Sequence, residues 1–144
     1  MLAEATAVKQ IRDNFGDKTV LFDNGDLYQG TSLSTIDIPK KNTDVEESAN
    51  PTSKCMKEIA YDGYTLGNHE FNYNTDDMQK CHKYLEGSAH LVCANIYYPG
   101  NGKRVYKPYM TKNINVDGQN IKIGIIGLTN TDIPRWDNAV NYEN

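Results

Sequence analysis

Ala5, Val8, Ile11 and Phe15 recur at intervals of three and four residues. That spacing predicts an amphipathic helix from about Leu2 to Phe15, ended by Gly16 and packed on a sheet. The run Thr19-Val20-Leu21-Phe22 is rich in strand formers and too short for a helix, so it reads as a buried strand. A loop with two glycines and two carboxylates follows it, from Asp23 to Thr31. Ile36 to Asn50 is polar, interrupted by proline and without period, which predicts an exposed and mobile loop.

Asn50-Pro51 has the form of a helix start, an amide cap followed by proline in the first turn. Cys55, Met56, Ile59 and Ala60 mark its buried face, and Asp62-Gly63 is expected to close it. Tyr64 to Leu66 is the next strand. Asn74 or Thr75 caps a further helix with Asp76 and Asp77 in its first turn, Met78, Cys81, His82 and Leu85 on its inner face, and Gly87 at its end. His90 to Ile96 is a third strand. Met110 to Val116 and Ile121 to Leu128 read as a hairpin through Asp117-Gly118, followed by a polar tail from Thr129 to Asn144 that carries the only tryptophan. Strand alternating with helix at this spacing implies an α/β fold: a layered, mostly parallel sheet flanked by helices and ending in a β-hairpin.

Length and charge narrow the function more than the fold. At 144 residues the chain is one domain's worth, with no repeat or linker. A net charge of -4 without any block of Lys and Arg argues against a nucleic acid polymer as partner. A small anionic substrate is compatible with that charge if metal ions supply the positive charge locally. No apolar run is long enough to span a bilayer, and the start MLAEATAVKQIRDNF lacks the pattern of a signal peptide. Met1 falls inside a helical pattern, as expected of an excised piece. Cys55, Cys81 and Cys93 are odd in number, far apart and without a CxxC pair, and read as buried free thiols.

The chemistry concentrates in Gly67-Asn68-His69-Glu70, where a strand runs into an amide, an imidazole and a carboxylate. Asn68 offers an oxygen to a metal, His69 a nitrogen or a proton, and Glu70 a charge to orient that histidine. The bland alternative, a polar turn, weighs about as much until the loop after the first strand is added. In open α/β sheets ligands sit outside the carboxyl ends of the strands, where Asp26 and Gly67 to Glu70 should face each other across one crevice. An aspartate and an amide oxygen there make a hard corner suited to manganese, or to zinc with added histidines.

Phe22-Asp23-Asn24-Gly25-Asp26, Gln29-Gly30-Thr31, Tyr61-Asp62-Gly63-Tyr64, Gly67-Asn68-His69-Glu70-Phe71-Asn72-Tyr73, Ala94-Asn95-Ile96, Lys107-Pro108-Tyr109, Ile123 to Thr129 and Ile133-Pro134-Arg135-Trp136-Asp137 span nearly the whole chain. Together they resemble the calcineurin-like metallophosphoesterases, within them the 5′-nucleotidase superfamily, and most nearly its 2′,3′-cyclic-nucleotide 2′-phosphodiesterase/3′-nucleotidase branch. The resemblance implies a two-metal hydrolase of nucleotides or another phosphate ester, using two divalent ions such as Mn or Zn and a metal-activated water. It places Asp26 as a bridge between both metals, Asn68 as a ligand of the second, and His69 as a catalytic group beside the leaving oxygen, with Glu70 close by. It also implies a parent that is secreted, periplasmic or at the cell surface.

The family's Asp-x-His, Gly-His and Gly-His-x-His motifs do not occur in the sequence, nor does a counterpart of its C-terminal nucleotide-binding domain. Residues 1–144 thus resemble a partial catalytic domain. One carboxylate and one amide cannot fill two coordination shells, so the chain alone is expected to be inactive or nearly so and to hold no metal or one. The alternatives are a metallophosphoesterase of another substrate class, or a non-catalytic module binding a partner through Ile36 to Asn50. Asn95 is a substrate-contact candidate weighed against a strand-end hydrogen bond. Asp23 reads as capping its strand end, His82 and His90 as structural, and Trp136 as a core plug for the hairpin. A partial sheet is expected to expose apolar faces and edges that self-association would cover.

Overall fold

The computed structural model describes residues 2–32 and 50–136. Most of the predicted loop from Ile36 to Asn50 therefore lies outside the described residues, as do 137–144 of the tail. Asn50 itself is described and is fully buried rather than exposed.

Helix α1 (Leu2–Phe15) leads through a 3-10 turn (Gly16–Lys18) to strand β1 (Phe22–Asp23). Helix α2 (Pro51–Ile59) precedes β2 (Gly63–Tyr64), and α3 (Thr75–Leu85) precedes β3 (His90–Leu91). A hairpin of β4 (Tyr109–Val116) and β5 (Gln119–Ile126) and a short helix α4 (Ile133–Trp136) complete the described chain. β1, β2 and β3 form a parallel sheet in that order, pairing Phe22 with Gly63 and Gly63 with His90. The α/β layering with an antiparallel hairpin is the architecture the sequence pattern implies.

The regular strands are shorter than their apolar runs for a visible reason. The Leu21 amide donates to the Asp62 carboxylate at 2.8 Å, and Lys112 donates to that same carboxylate, so at Leu21 only the carbonyl joins the ladder, accepting from Asp62 N at 2.9 Å. Beyond β3 the sheet continues through single contacts, with Cys93 N donating to Lys107 O and Ala94 N to Gly127 O, each at 2.8 Å. The β4–β5 hairpin turns on Asp117 and Gly118 at φ +53° and +84°, the left-handed pair that a two-residue turn requires.

Asn50 caps α2 by accepting from Thr52 N at 2.8 Å, with Pro51 in the first turn. The helix ends at Ile59, earlier than the expected Asp62-Gly63 stop, because Ala60 turns left-handed and returns its N–H to Lys57 O. Gly63 belongs to β2 instead. A Cβ there would lie 2.7 Å from Phe22 and Met110 side chains, so glycine serves strand packing. Asn74 caps α3 by accepting from Asp77 N at 2.9 Å.

The core gathers Met56, Tyr61, Tyr64, Leu85 and Ala89, with Tyr28, Met78 and Cys81 in a second cluster. Cys81 and Cys93 are buried, and all three cysteines are free thiols. α1 departs from expectation. Ala5 and Val8 are half-buried, but Ile11 is 49% and Phe15 59% exposed, so the predicted inner stripe is only partly covered. Polar contacts hold the helix instead: Tyr61 donates to Glu4, and Arg12 donates to Ile59 O and, at 2.6 Å, to Ala60 O. Trp136, expected as a core plug, is 57% exposed, and Ile133 fills the interior in its place. Among the described residues no helix is long and apolar enough to cross a membrane.

Candidate functional site

Parallel pairing brings the loops after β1 and β2 to the same end of the sheet, and the two loops touch. A Cβ on Gly25 would lie 2.1 Å from Gly67 N, and one on Gly67 would lie 2.3 Å from Asp26 Oδ1. Only glycine on both sides allows this approach. Asp26 adopts φ +61°, a left-handed conformation uncommon for a side-chain-bearing residue and often kept at functional sites.

Glu70 fixes that geometry. Its carboxylate, 4% exposed, accepts from Gly67 N and Leu27 N at 2.7 Å, from Asp26 N at 2.9 Å and from Tyr28 N at 3.4 Å. Four backbone donors on one carboxylate compensate its burial. Asp26 Oδ1 accepts in turn from His69 N at 3.0 Å. Asp23 Oδ1 accepts from Gly25 N at 2.8 Å, the strand-end role expected of it. Burial pushes its carboxyl above the ordinary value; Gly25 opposes that, while the negative charges of Glu70, Glu4 and Asp26 add to it.

The expected pairing of Glu70 with the His69 imidazole does not occur. His69 Nδ1 lies 2.8 Å from Asn72 Oδ1, while Glu70 turns inward beneath the loops. The Asn72 contact is what reading the sequence missed, and the His-x-x-Asn spacing was its signal, since positions three apart eclipse in a 3-10 turn such as His69–Asn72. His69 Nε2, the half-buried Asn68 amide and Asp26 Oδ2 have no hydrogen-bond partner among the described residues.

Asn95 is tied elsewhere. Its amide donates to Thr129 O at 2.7 Å and its carbonyl accepts from Thr129 N at 3.0 Å, so both polar ends clamp the chain after β5. That is the hydrogen-bonded alternative to substrate contact. Thr129 Oγ1 reaches Gly67 O at 3.4 Å, linking the clamp to the site.

As donors for a divalent cation, Asp26 and Asn68 supply two hard oxygens, a fitting contribution to one ion. They are too few for two ions, and no group of three or more His, Cys, Asp or Glu able to hold a metal occurs among the described residues.

No protein-family model matches the chain. A 5′-nucleotidase of Vibrio parahaemolyticus is 33% identical over 141 residues, 96% of this chain and 22% of that protein. A 2′,3′-cyclic-nucleotide 2′-phosphodiesterase/3′-nucleotidase of Salmonella typhimurium is 39% identical over 129 residues, 84% of this chain and 19% of that protein. The crystal structure of the calcineurin-like phosphoesterase YfkN from Bacillus subtilis superposes with a TM-score of 0.80 at 33% identity, over 96% of this chain and 42% of that one. The chain is similar in sequence and fold to part of a calcineurin-like phosphoesterase. It spans about a fifth of the length of the curated relatives it matches. Within this phosphoesterase framework, the touching loops of Asp26 and Asn68 lie at the carboxyl ends of adjacent parallel strands.

Proposed function

We propose that this chain is part of a metal-dependent phosphoesterase acting on nucleotides, and that by itself it is inactive or nearly so. The observation that carries the reading is the locked pair of loops: Gly25 and Gly67 in contact, Asp26 held at φ +61°, and Asp26 Oδ1 accepting from the backbone N–H of His69, next in sequence to Asn68. Asp26 and Asn68 would hold a divalent ion, which when bound neutralises phosphate charge and acidifies water. His69, oriented through Nδ1 by Asn72, is suited to hold or move a proton at Nε2 near a phosphate oxygen. Glu70 positions both loops without touching substrate. With two protein donors among the described residues, further ligands must come from elsewhere for turnover. The relatives' names support a 2′,3′-cyclic nucleotide or a 3′- or 5′-nucleotide as substrate.

Turnover of bis-p-nitrophenyl phosphate and of 2′,3′-cyclic AMP by the purified chain, with millimolar manganese, tests this reading. Negligible hydrolysis is expected, together with weak manganese binding by calorimetry that Asp26→Ala removes. Robust turnover abolished by Asp26→Ala would overturn the claim of inactivity, and manganese binding indifferent to Asp26→Ala would overturn the assignment of the site.

A further inference from the structure

A cavity of about 240 Å³ lies between the His69–Asn72 turn, the inner face of α3 and the segment from Ile96 to Tyr106. Its walls are unusually rich in rings: Phe71, Tyr73, Tyr97, Tyr98, Tyr106 and the imidazole of His82 all line it. Among the described residues Glu70 is the only charged one on its wall, and four backbone amides already occupy that carboxylate. No lysine or arginine among the described residues lines it.

His82 distinguishes this space from a packing gap. Its ring is fixed on two sides, tilted against Tyr64 at 5.8 Å and edge-on to Tyr106 at 5.9 Å. Nδ1 lies 3.0 Å from the Tyr64 hydroxyl. Burial pushes the imidazole down to about 4 and the Tyr64 phenol well up, so both groups are uncharged at neutral pH. Nε2 has no partner among the described residues. The ring is only half-buried, so Nε2 is within reach of solvent and available to a ligand at the cavity edge.

Volume and charge define that occupant. The space is smaller than the roughly 300–1,000 Å³ of drug-sized sites and has room for one or two fused rings. Among the described residues the walls offer no cation to a phosphate or carboxylate and no free anion to a cationic ligand. Aromatic faces accept any base-like ring, and a heteroaromatic edge can complement Nε2 in either tautomer.

We infer that this cavity is a binding pocket for a small neutral heteroaromatic molecule, stacked on the tyrosines and hydrogen-bonded to His82 Nε2. The pocket is separate from the oxygens of Asp26 and Asn68 and does not depend on the function proposed for them.

Adenine and nicotinamide serve as probes, with cyclohexanecarboxamide as a non-aromatic control, each titrated into the purified chain and followed by saturation-transfer and amide-shift NMR. At least one aromatic probe is expected to bind at or below millimolar concentration, shifting the amides of Phe71, Tyr98 and Tyr106. His82→Gln and Tyr98→Ala should each weaken it about tenfold or more. Tyr98 is half exposed, so its truncation leaves the core intact and decides the matter should His82→Gln fail to fold. No transfer to either aromatic probe, equal binding of the control, or unchanged affinity in Tyr98→Ala would each overturn the inference.

Discussion

Replacing Glu70 by alanine removes a carboxylate that three strong amide bonds and one long one converge on, from both site loops at once. A hydrogen bond to a charged group contributes roughly 1.5–3 kcal/mol, and the Asp26, Leu27 and Gly67 donors are only partly buried, so about 1.5 kcal/mol each is appropriate. Against that sum stands the desolvation of the carboxylate, which alanine relieves. A net destabilisation of about 3 kcal/mol is expected, equivalent to roughly 6–12 °C in melting temperature for a chain near this size. Glu70→Gln keeps one accepting oxygen but turns an NH2 group toward the other pair of donors, so about half that loss is expected. Guanidinium unfolding followed by circular dichroism, with unchanged m, reads these values. An alanine variant within about 1 kcal/mol of the native chain, or a glutamine variant worse than alanine, would refute the claim that Glu70 knits the loops.

Gly67→Ala would drive a Cβ to within 2.6 Å of Asp26 N and 2.3 Å of Asp26 Oδ1, so the loops must part. A loss of about 1–3 kcal/mol and disappearance of manganese binding should follow, and calorimetry showing undiminished binding would contradict the contact. His82 supplies a pH dependence whose sign is fixed. Its folded value near 4 lies below the ordinary 6.5, so the unfolded chain binds more protons between them, and the stabilisation is complete above pH 6.5 and lost as pH falls toward 4. About 2 kcal/mol of that loss is present at pH 5, so urea midpoints should drop less from pH 7 to pH 5 in His82→Gln, and equal drops would count against a neutral buried imidazole.

Periodicity carried the helices and the hairpin because their signals are local: Asn50-Pro51 and Asn74 cap where expected, and Asp117-Gly118 turns the hairpin. The meeting of the two site loops was legible for a topological reason, since parallel strands deliver their following loops to one end. The direction of the Glu70 side chain was not legible. Successive residues of a 3-10 turn point about a third of a turn apart, so adjacency to His69 in sequence sends Glu70 inward and leaves Asn72 beside the imidazole. Strand ends and helix burial were lost for another reason. The amide of Leu21 is taken by Asp62, forty-one residues away, and the apolar stripe of α1 finds only partial cover, and neither fact is encoded near the residues concerned.

These bonds also bear on how activity and architecture divide. Asp26 is held in its left-handed conformation by contacts within the described chain, its N–H by Glu70 and one carboxylate oxygen by His69 N. Asn95 anchors Thr129, whose hydroxyl reaches Gly67 O. These contacts fix the Asp26 backbone and one of its carboxylate oxygens through the chain's own groups. The geometry of the two loops therefore rests on hydrogen bonds within the chain, and does not depend on how many donors the chain offers to an ion.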